Sequence, residues 1–376
     1  MIGLGIDFGS TVSAAAVVRD GEPALVPSAE RADFGGKSFP SCVALTFDER
    51  ILVGEPARLQ AADNPEGTTA GIKGRLGSQQ LITLRGRGFS PERLAGFVLE
   101  KIRRDAGAFL GVAVTRATIG IPVDFNSSQR AAMSAAAEIA GFSRSALIEE
   151  PIAAALGHGL DRRRAGKPAL ALVVDLGGSG LNVASVEFRN DAPRCIAIVH
   201  RPELSVAALD ALVYGGLARK FASVSGITID QDPNAEARVR RAVELARIEL
   251  GSGRTDEIEL GVLAKFGTRQ QEVAIHLSRS ELDLLMQPML QRCGGAIRDG
   301  MRTAAVAPSS VDHLVLVGGV MRMPELRVLV EQVVGRTAET VVDPSAAVAI
   351  GAARHAAAEG KTAFPNGPGA AAGRAG

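Results

Sequence analysis

Two short stretches of the same design, far apart in the chain, limit what it can fold into. The first, Leu4-Gly5-Ile6-Asp7-Phe8-Gly9-Ser10-Thr11, is an apolar strand with a carboxylate at its end that breaks into a glycine turn. The second, Leu172-Val173-Val174-Asp175-Leu176-Gly177-Gly178-Ser179-Gly180, repeats it 168 positions later. Glycines let a backbone bend sharply and present several N–H groups to one phosphate. An aspartate beside them suits the magnesium ion that accompanies such a phosphate. One such hairpin is common in proteins of every kind. Two, with the aspartate in the same place, describe a clamp that grips one nucleotide from both sides, the cation lying between Asp7 and Asp175.

The length, 376 residues, suffices for two domains, and 46% hydrophobic residues can fill sizeable cores. With 42 basic and 41 acidic residues the net charge is +1. That balance argues against bulk electrostatic capture of nucleic acid or an anionic membrane. Cys42, Cys195 and Cys293 are far apart and form no CxxC pattern, so they read as small buried hydrophobes in a reducing compartment. The five histidines are equally dispersed and suggest no zinc site. Asp7 interrupts the first apolar run, which excludes a signal peptide, and no apolar window is long enough to cross a bilayer. The expectation is a soluble, cytoplasmic protein.

Along the chain, the pattern predicts strands over Ala14–Val18 and Ala24–Val26, a loop over Phe34–Pro40, and a hairpin of Cys42–Phe47 with Ile51–Val53. Ser90-Pro91 starts a helix with an apolar stripe of Leu94, Phe97, Val98 and Ile102. Ala117–Ile121 is a strand, and Asn126–Gln129 resembles a capping box before an alanine-rich helix that Gly141 closes. Leu147–Pro151 leads into a helix over Ile152–Leu160, followed by an exposed connector over Asp161–Lys167. The order then restarts around the second glycine hairpin, with strands over Asn182–Phe188 and Arg194–His200. Such an internal duplication around a cleft is how a two-lobed α/β fold reads. Helices follow over Asn234–Leu250 and from Ser278, with Glu281 completing a capping pattern. Leu314–Gly319 is a buried strand running into a glycine turn, and Asp343-Pro344 precedes a final helix to about Glu359. The remainder, 360–376, is Gly, Ala and Pro with little to bury, and is expected to be disordered.

In this order the pieces resemble the ATPase domain of DnaK-type heat-shock chaperones, in the actin-like ATPase superfamily, from Ile2 to about Ala358. The resemblance rests on Gly5–Thr11, Ile121–Asn126, Glu150–Ala155, Asp175–Gly178, Val317–Pro324 and Asp343–Ala353 taken together. It implies a two-lobed actin-like fold of duplicated ribonuclease H-like lobes. Lobe I would span 1–166, with a shortened upper flap about 36–90, and lobe II 167–359. It implies ATP or ADP with Mg2+ as ligands and a protein partner of unknown identity. Asp7 and Asp175 match the carboxylates that hold the hydrated magnesium. Lys73 matches the lysine that orients the attacking water, and Glu150 the carboxylate beside that water. Gly9, Ser10 and Thr11 match the first phosphate loop, and Gly177, Gly178 and Ser179 the second. Glu244 and Arg247, one turn apart, fall where the family contacts ribose and adenine. Gly318, Gly319 and Arg322 match the loop that closes over the base.

The departures concern the second loop and its surroundings. The family continues it with a threonine and an aspartate where this chain has Gly180 and Asn182. A further glycine-rich signature is replaced by Ser205–Asp210, and Ile248 stands where the family stacks an arginine on adenine. The expected function is a stand-alone ATP-binding domain with slow hydrolysis, whose lobe closure signals to a partner, without a peptide-binding domain. The alternatives are a nucleotide-binding scaffold or sensor without hydrolysis and, further off, an actin-like filament protein.

Overall fold

The structure, a computed structural model, describes residues 3–28, 37–163, 167–189, 192–226, 228, 233–253, 255–266 and 269–362. The first hairpin, β1 (Leu4–Phe8) and β2 (Val12–Arg19), continues into β3 (Glu22–Leu25), and β4 (Ser38–Pro40) pairs with β2. The predicted loop over Phe34–Pro40 is therefore partly a strand: the backbone of Ser38, Phe39 and Pro40 pairs with Ala14, Ser13 and Val12. The flap follows. Here β5 (Val43–Leu45) pairs with β6 (Ile51–Val53) and β7 (Thr68–Thr69), and α1 (Glu55–Leu59) comes between those two in the chain. A short hairpin, β8 (Ile82–Leu84) and β9 (Arg87–Phe89), completes it.

The helix α2 (Pro91–Leu110) begins as read, with the Ser90 hydroxyl accepting from Arg93 N–H, and Gly111 closes it in the left-handed conformation. Then come β10 (Arg116–Ile121), α3 (Ser127–Ile139) and β11 (Arg144–Glu149). The capping box at Asn126 and Gln129 is complete in both directions. The predicted helix over Ile152–Leu160 is two: α4 (Glu150–Gly157) and the single turn α5 (Leu160–Arg163), separated by Gly159 at φ 71°. The first sheet has the order β11-β10-β1-β2-β3, with β1, β10 and β11 parallel.

The second sheet repeats the opening motif. Its hairpin is β12 (Ala169–Gly177) and β13 (Gly180–Arg189), extended by β14 (Ala192–Arg201). After α6 (Val206–Ser225) and α7 (Pro233–Gly251), β15 (Glu257–Phe266) and β16 (Arg269–Ser278) form a hairpin the pattern did not reveal. The chain then runs through α8 (Arg279–Thr303), β17 (His313–Val317), α9 (Pro324–Val334) and α10 (Ala347–Thr362). The order is β14-β13-β12-β17, with β12 and β17 parallel. Ser278 and Glu281 make the capping box read from the sequence. The last helix runs three residues beyond the predicted end, and 363–376 lie outside the described residues.

Strand alternation divides the cores. Leu4, Ile6 and Phe8 pack with α2 and α3 residues such as Leu94, Val98 and Met133, which leaves Gly5 and Asp7 on the opposite face. Leu172, Val174 and Leu176 pack with α6 to α9 in the same manner, which leaves Val173 and Asp175 on the opposite face. Between the sheets the helices change sides. α4 follows the first sheet in sequence, yet its Ala153–Leu156 pack with Ala171, Val173, Ala184 and Val315 of the second. α10 follows the second sheet, yet Ala349, Ile350 and Ala353 pack with Ala14 and Ala16 of the first. The two helices touch through small residues: a Cβ on Gly351 would overlap the Ala153 carbonyl, and one on Gly157 the Ala347 carbonyl.

Candidate functional site

The alternation that buries Leu4 and Ile6 aims Asp7 into the cleft, and the same rule aims Asp175. Around them the glycine loops interlock. A Cβ on Gly9 would overlap the Val12 carbonyl, and one on Gly178 would overlap the Thr11 hydroxyl, so Thr11 of the first loop rests against the second. Gly318 adopts φ +98°, and a Cβ there would overlap the Leu176 carbonyl and lie 3.4 Å from Asp175 Oδ1. The three glycine turns thus meet at the two aspartates. Ser10 lies in the first turn and Ser179 in the second, while Gly177 ends β12 beside Asp175.

Lys73 sits on a short 3₁₀ turn, Ile72–Arg75, that follows left-handed Gly71. Its side chain is buried, with 7% of the residue exposed, and Nζ is ion-paired to Glu150 Oε1. Glu150 opens α4 next to Pro151, so the helix start that the sequence marks also delivers the carboxylate. Burial opposes the charge on Lys73, but Glu150, Asp7 and Asp175 outweigh it and hold the ammonium above its ordinary range. The aspartates go the other way. Burial, then Glu150, raises both carboxyls to about 7; Lys73 lowers each, and Asp175 adds to the rise at Asp7. A small space opens alongside, lined by Pro122, Glu150, Asp175, Asn182 and neighbouring apolar side chains.

These carboxylates fit a divalent cation. Two acids pushed up by burial and by Glu150 regain their charge when a cation neutralises them. Among the described residues no cage of three His, Cys, Asp or Glu side chains exists. Two carboxylates, with the remaining places left to water and phosphate oxygens, is the way magnesium is usually held.

The residues that the resemblance assigns to the adenosine are differently placed from one another. Gly318 and Gly319 form the turn after β17 as read. Arg322 is bidentate to Asp343, at 2.8–3.2 Å, and donates to the Ser345 hydroxyl, so it ties its turn to the loop before α10. Glu244 and Arg247 do not pair with each other. Arg247 is buried and donates to Asp210 of α6 at 2.5 Å. Glu244 instead receives Arg58 of α1 at 2.7 Å from across the cleft. A matching contact joins Arg241 to Glu55 at 3.0 Å, so two ion pairs of opposite sense bridge flap and α7. Arg58, Arg241, Asp210 and Glu55 escaped the sequence reading. The mirror spacings Glu55-x-x-Arg58 and Arg241-x-x-Glu244 were the available signal.

Ser205 caps α6 through Ala208 N–H, so the segment that lacks the family's glycines serves as a helix start. Gly180 has φ +139°, a conformation that L side chains rarely adopt. The missing hydroxyl there thus reflects a backbone built for glycine.

The model of the family described as Hsp70 protein matches residues 3–82 and 78–362. The chain belongs to the Hsp70 family. Among similar Hsp70 proteins, the "Chaperone protein DnaK" of Methanothermobacter thermautotrophicus is 38% identical over 93% of this chain and 58% of that protein. Those of Thermoplasma acidophilum and Elusimicrobium minutum are 39% and 38% identical over 93% of this chain, and over 57% and 56% of their own lengths. The chain thus spans somewhat more than half the length of the curated Hsp70 relatives it matches. The mixed α/β architecture is the two-lobed actin-like ATPase fold of an Hsp70 domain. Among the described residues no helix is long and apolar enough to cross a membrane.

Proposed function

We propose that this Hsp70 chain binds MgATP or MgADP between its lobes, hydrolyses ATP slowly, and reports lobe closure to a protein partner. The observation that carries this reading is the cluster of Asp7, Lys73, Glu150 and Asp175, brought from four segments to the meeting point of three glycine turns. Asp7 and Asp175 would hold the hydrated ion. Backbone N–H groups of Gly9, Gly177 and Gly178, with Ser10, Thr11 and Ser179, would cradle the phosphates. Gly318, Gly319, Glu244, Arg247 and Arg322 would frame the adenosine. Magnesium, when bound, supplies neutralising charge to the terminal phosphates. Lys73 would orient the attacking water and offset charge on the terminal phosphate, and Glu150 would accept from that water. Lobe boundaries near residue 166 put the first sheet and flap in one lobe and the second sheet with α6 to α9 in the other.

Calorimetry with MgATP and MgADP, followed by single-turnover hydrolysis, tests the reading. Micromolar binding that weakens on magnesium removal, with slow turnover, is expected. No binding at millimolar nucleotide overturns it. A nucleotide sensor without turnover is the second reading, favoured by Gly180 and Asn182, where a hydroxyl and a charge of the family's phosphate loop are missing. Binding with no measurable single turnover decides for the sensor.

A further inference from the structure

Three strands run side by side into the cleft, and their register places Asp175 of β12 opposite Asn182 of β13, and Asn182 opposite His200 of β14. The side chains are joined along that row. Asn182 Nδ2 donates to Asp175 Oδ2 at 3.5 Å, and His200 Nδ1 lies 2.7 Å from Asn182 Oδ1. An amide oxygen only accepts and an amide nitrogen only donates. His200 must therefore carry its proton on Nδ1, and the amide must turn its N–H toward the carboxylate. The reverse orientation of the amide would press its carbonyl oxygen against the Asp175 carboxylate and leave both acceptors unpaired.

A second observation ties His200 to the phosphate loop itself. A Cβ at Gly180 would stand 2.9 Å from His200 Cε1. The imidazole fills the space beside the turn at which the chain carries no side chain, so Gly180, Asn182 and His200 form one packed set.

We infer that His200 is a positioning residue of the nucleotide site, which orients the Asn182 amide so that its N–H holds the Asp175 carboxylate. The inference rests on the reading of Asp175 as a carboxylate facing the metal–nucleotide complex. Replacing His200 by alanine frees the amide to flip, and the hydrogen bond then lost is of a size that changes magnesium-dependent nucleotide affinity about 3- to 10-fold.

The test uses the full chain and two readouts. Long-range proton–nitrogen NMR of histidine-labelled protein at pH 8, without nucleotide, reads the tautomer of His200, assigned by difference from His200→Gln. The Nδ1–H form is expected, and Asn182→Leu should abolish that preference. An Nε2–H tautomer in the wild type overturns the inference. Calorimetry with ADP across a magnesium titration forms the second readout for wild type, His200→Ala and His200→Gln. The alanine variant should lose 3- to 10-fold in the presence of magnesium and nothing in its absence, and glutamine, which can donate to Asn182 Oδ1, should restore most of the loss. Wild-type binding with both variants unchanged overturns this inference alone. A wild type without magnesium-dependent binding overturns the nucleotide reading and this inference with it.

Discussion

Replacing Asp7 by asparagine is expected to stabilise the metal-free protein in alkaline solution. Burial first, then Glu150, raises the Asp7 carboxyl from 3.8 to about 7, against the pull of Lys73 and with Asp175 adding to the rise. Between those two values the folded chain keeps a proton that the unfolded chain has released, so stability falls as pH rises. The contribution is most favourable near pH 4, is lost progressively up to about pH 7, and stays lost above it. Carried through in full, the displacement is worth about 4 kcal/mol. The residue is partly open to the cleft, and solvent there reduces the penalty to roughly 2 kcal/mol. Asparagine keeps the shape and removes the charge, so at pH 8 in EDTA the variant should melt roughly 2–5 °C above the wild type. At pH 4.5 the difference should vanish. MgADP should invert the order at pH 8, because the neutral side chain holds the cation poorly. Thermal scans at pH 4.5, 6 and 8, with EDTA and with MgADP, give the answer. A variant less stable than wild type at pH 8 in EDTA would refute the reasoning, since the ionised carboxylate would then be a net stabilising group in the metal-free protein.

Lys73→Ala should slow single-turnover hydrolysis by about 100-fold or more while changing nucleotide affinity less than about tenfold; equal turnover would remove Lys73 from the chemistry. Arg58→Ala and Arg241→Ala each break one bridge between flap and α7, and partly exposed pairs of this kind are worth about 0.5–1 kcal/mol, so release of a fluorescent ADP should quicken about two- to fivefold. Stopped-flow traces in which neither variant nor added salt alters release would count against a closing role for those pairs. Gly180→Thr should lower the urea midpoint by an amount equivalent to about 1–3 kcal/mol, because its Cβ would meet the Arg201 carbonyl at 2.6 Å and Pro202 Cα at 2.8 Å at a backbone φ of +139°. An unchanged midpoint would show that the turn relaxes freely.

The glycine hairpins, both complete capping boxes and the strands that carry Asp7 and Asp175 were legible because each depends on residues adjacent in the chain. The convergence of Lys73 with Glu150 was legible only through the family resemblance, since no local rule links a 3₁₀ turn to a helix start 77 positions away. The flap–α7 bridges join residues 186 positions apart, and charge spacing on either helix alone reads as a solvated face. The pairing of Ser38–Pro40 with β2 was missed because proline and nearby glycines mask a strand whose partner is distant in sequence. Gly180 read as a lost hydroxyl, whereas its positive φ and the His200 ring beside it make glycine a requirement. Backbone conformation of that kind leaves no periodic trace.

The exchange of α4 and α10 between the sheets sets a limit on how the molecule can be dissected. Cutting near residue 166 separates the strands cleanly but strands a helix on the wrong side of each cut. The N-terminal piece would lose the second-sheet residues Ala171, Val173, Ala184 and Val315 against which Ala153–Leu156 pack, and would expose Ala14 and Ala16 where α10 belongs. The C-terminal piece would show the converse defect along Val173, Ala184 and Val315. Neither half is then a self-sufficient folding unit. Mixed together, the two fragments could assemble only by trading helices, and each would act as the other's missing core.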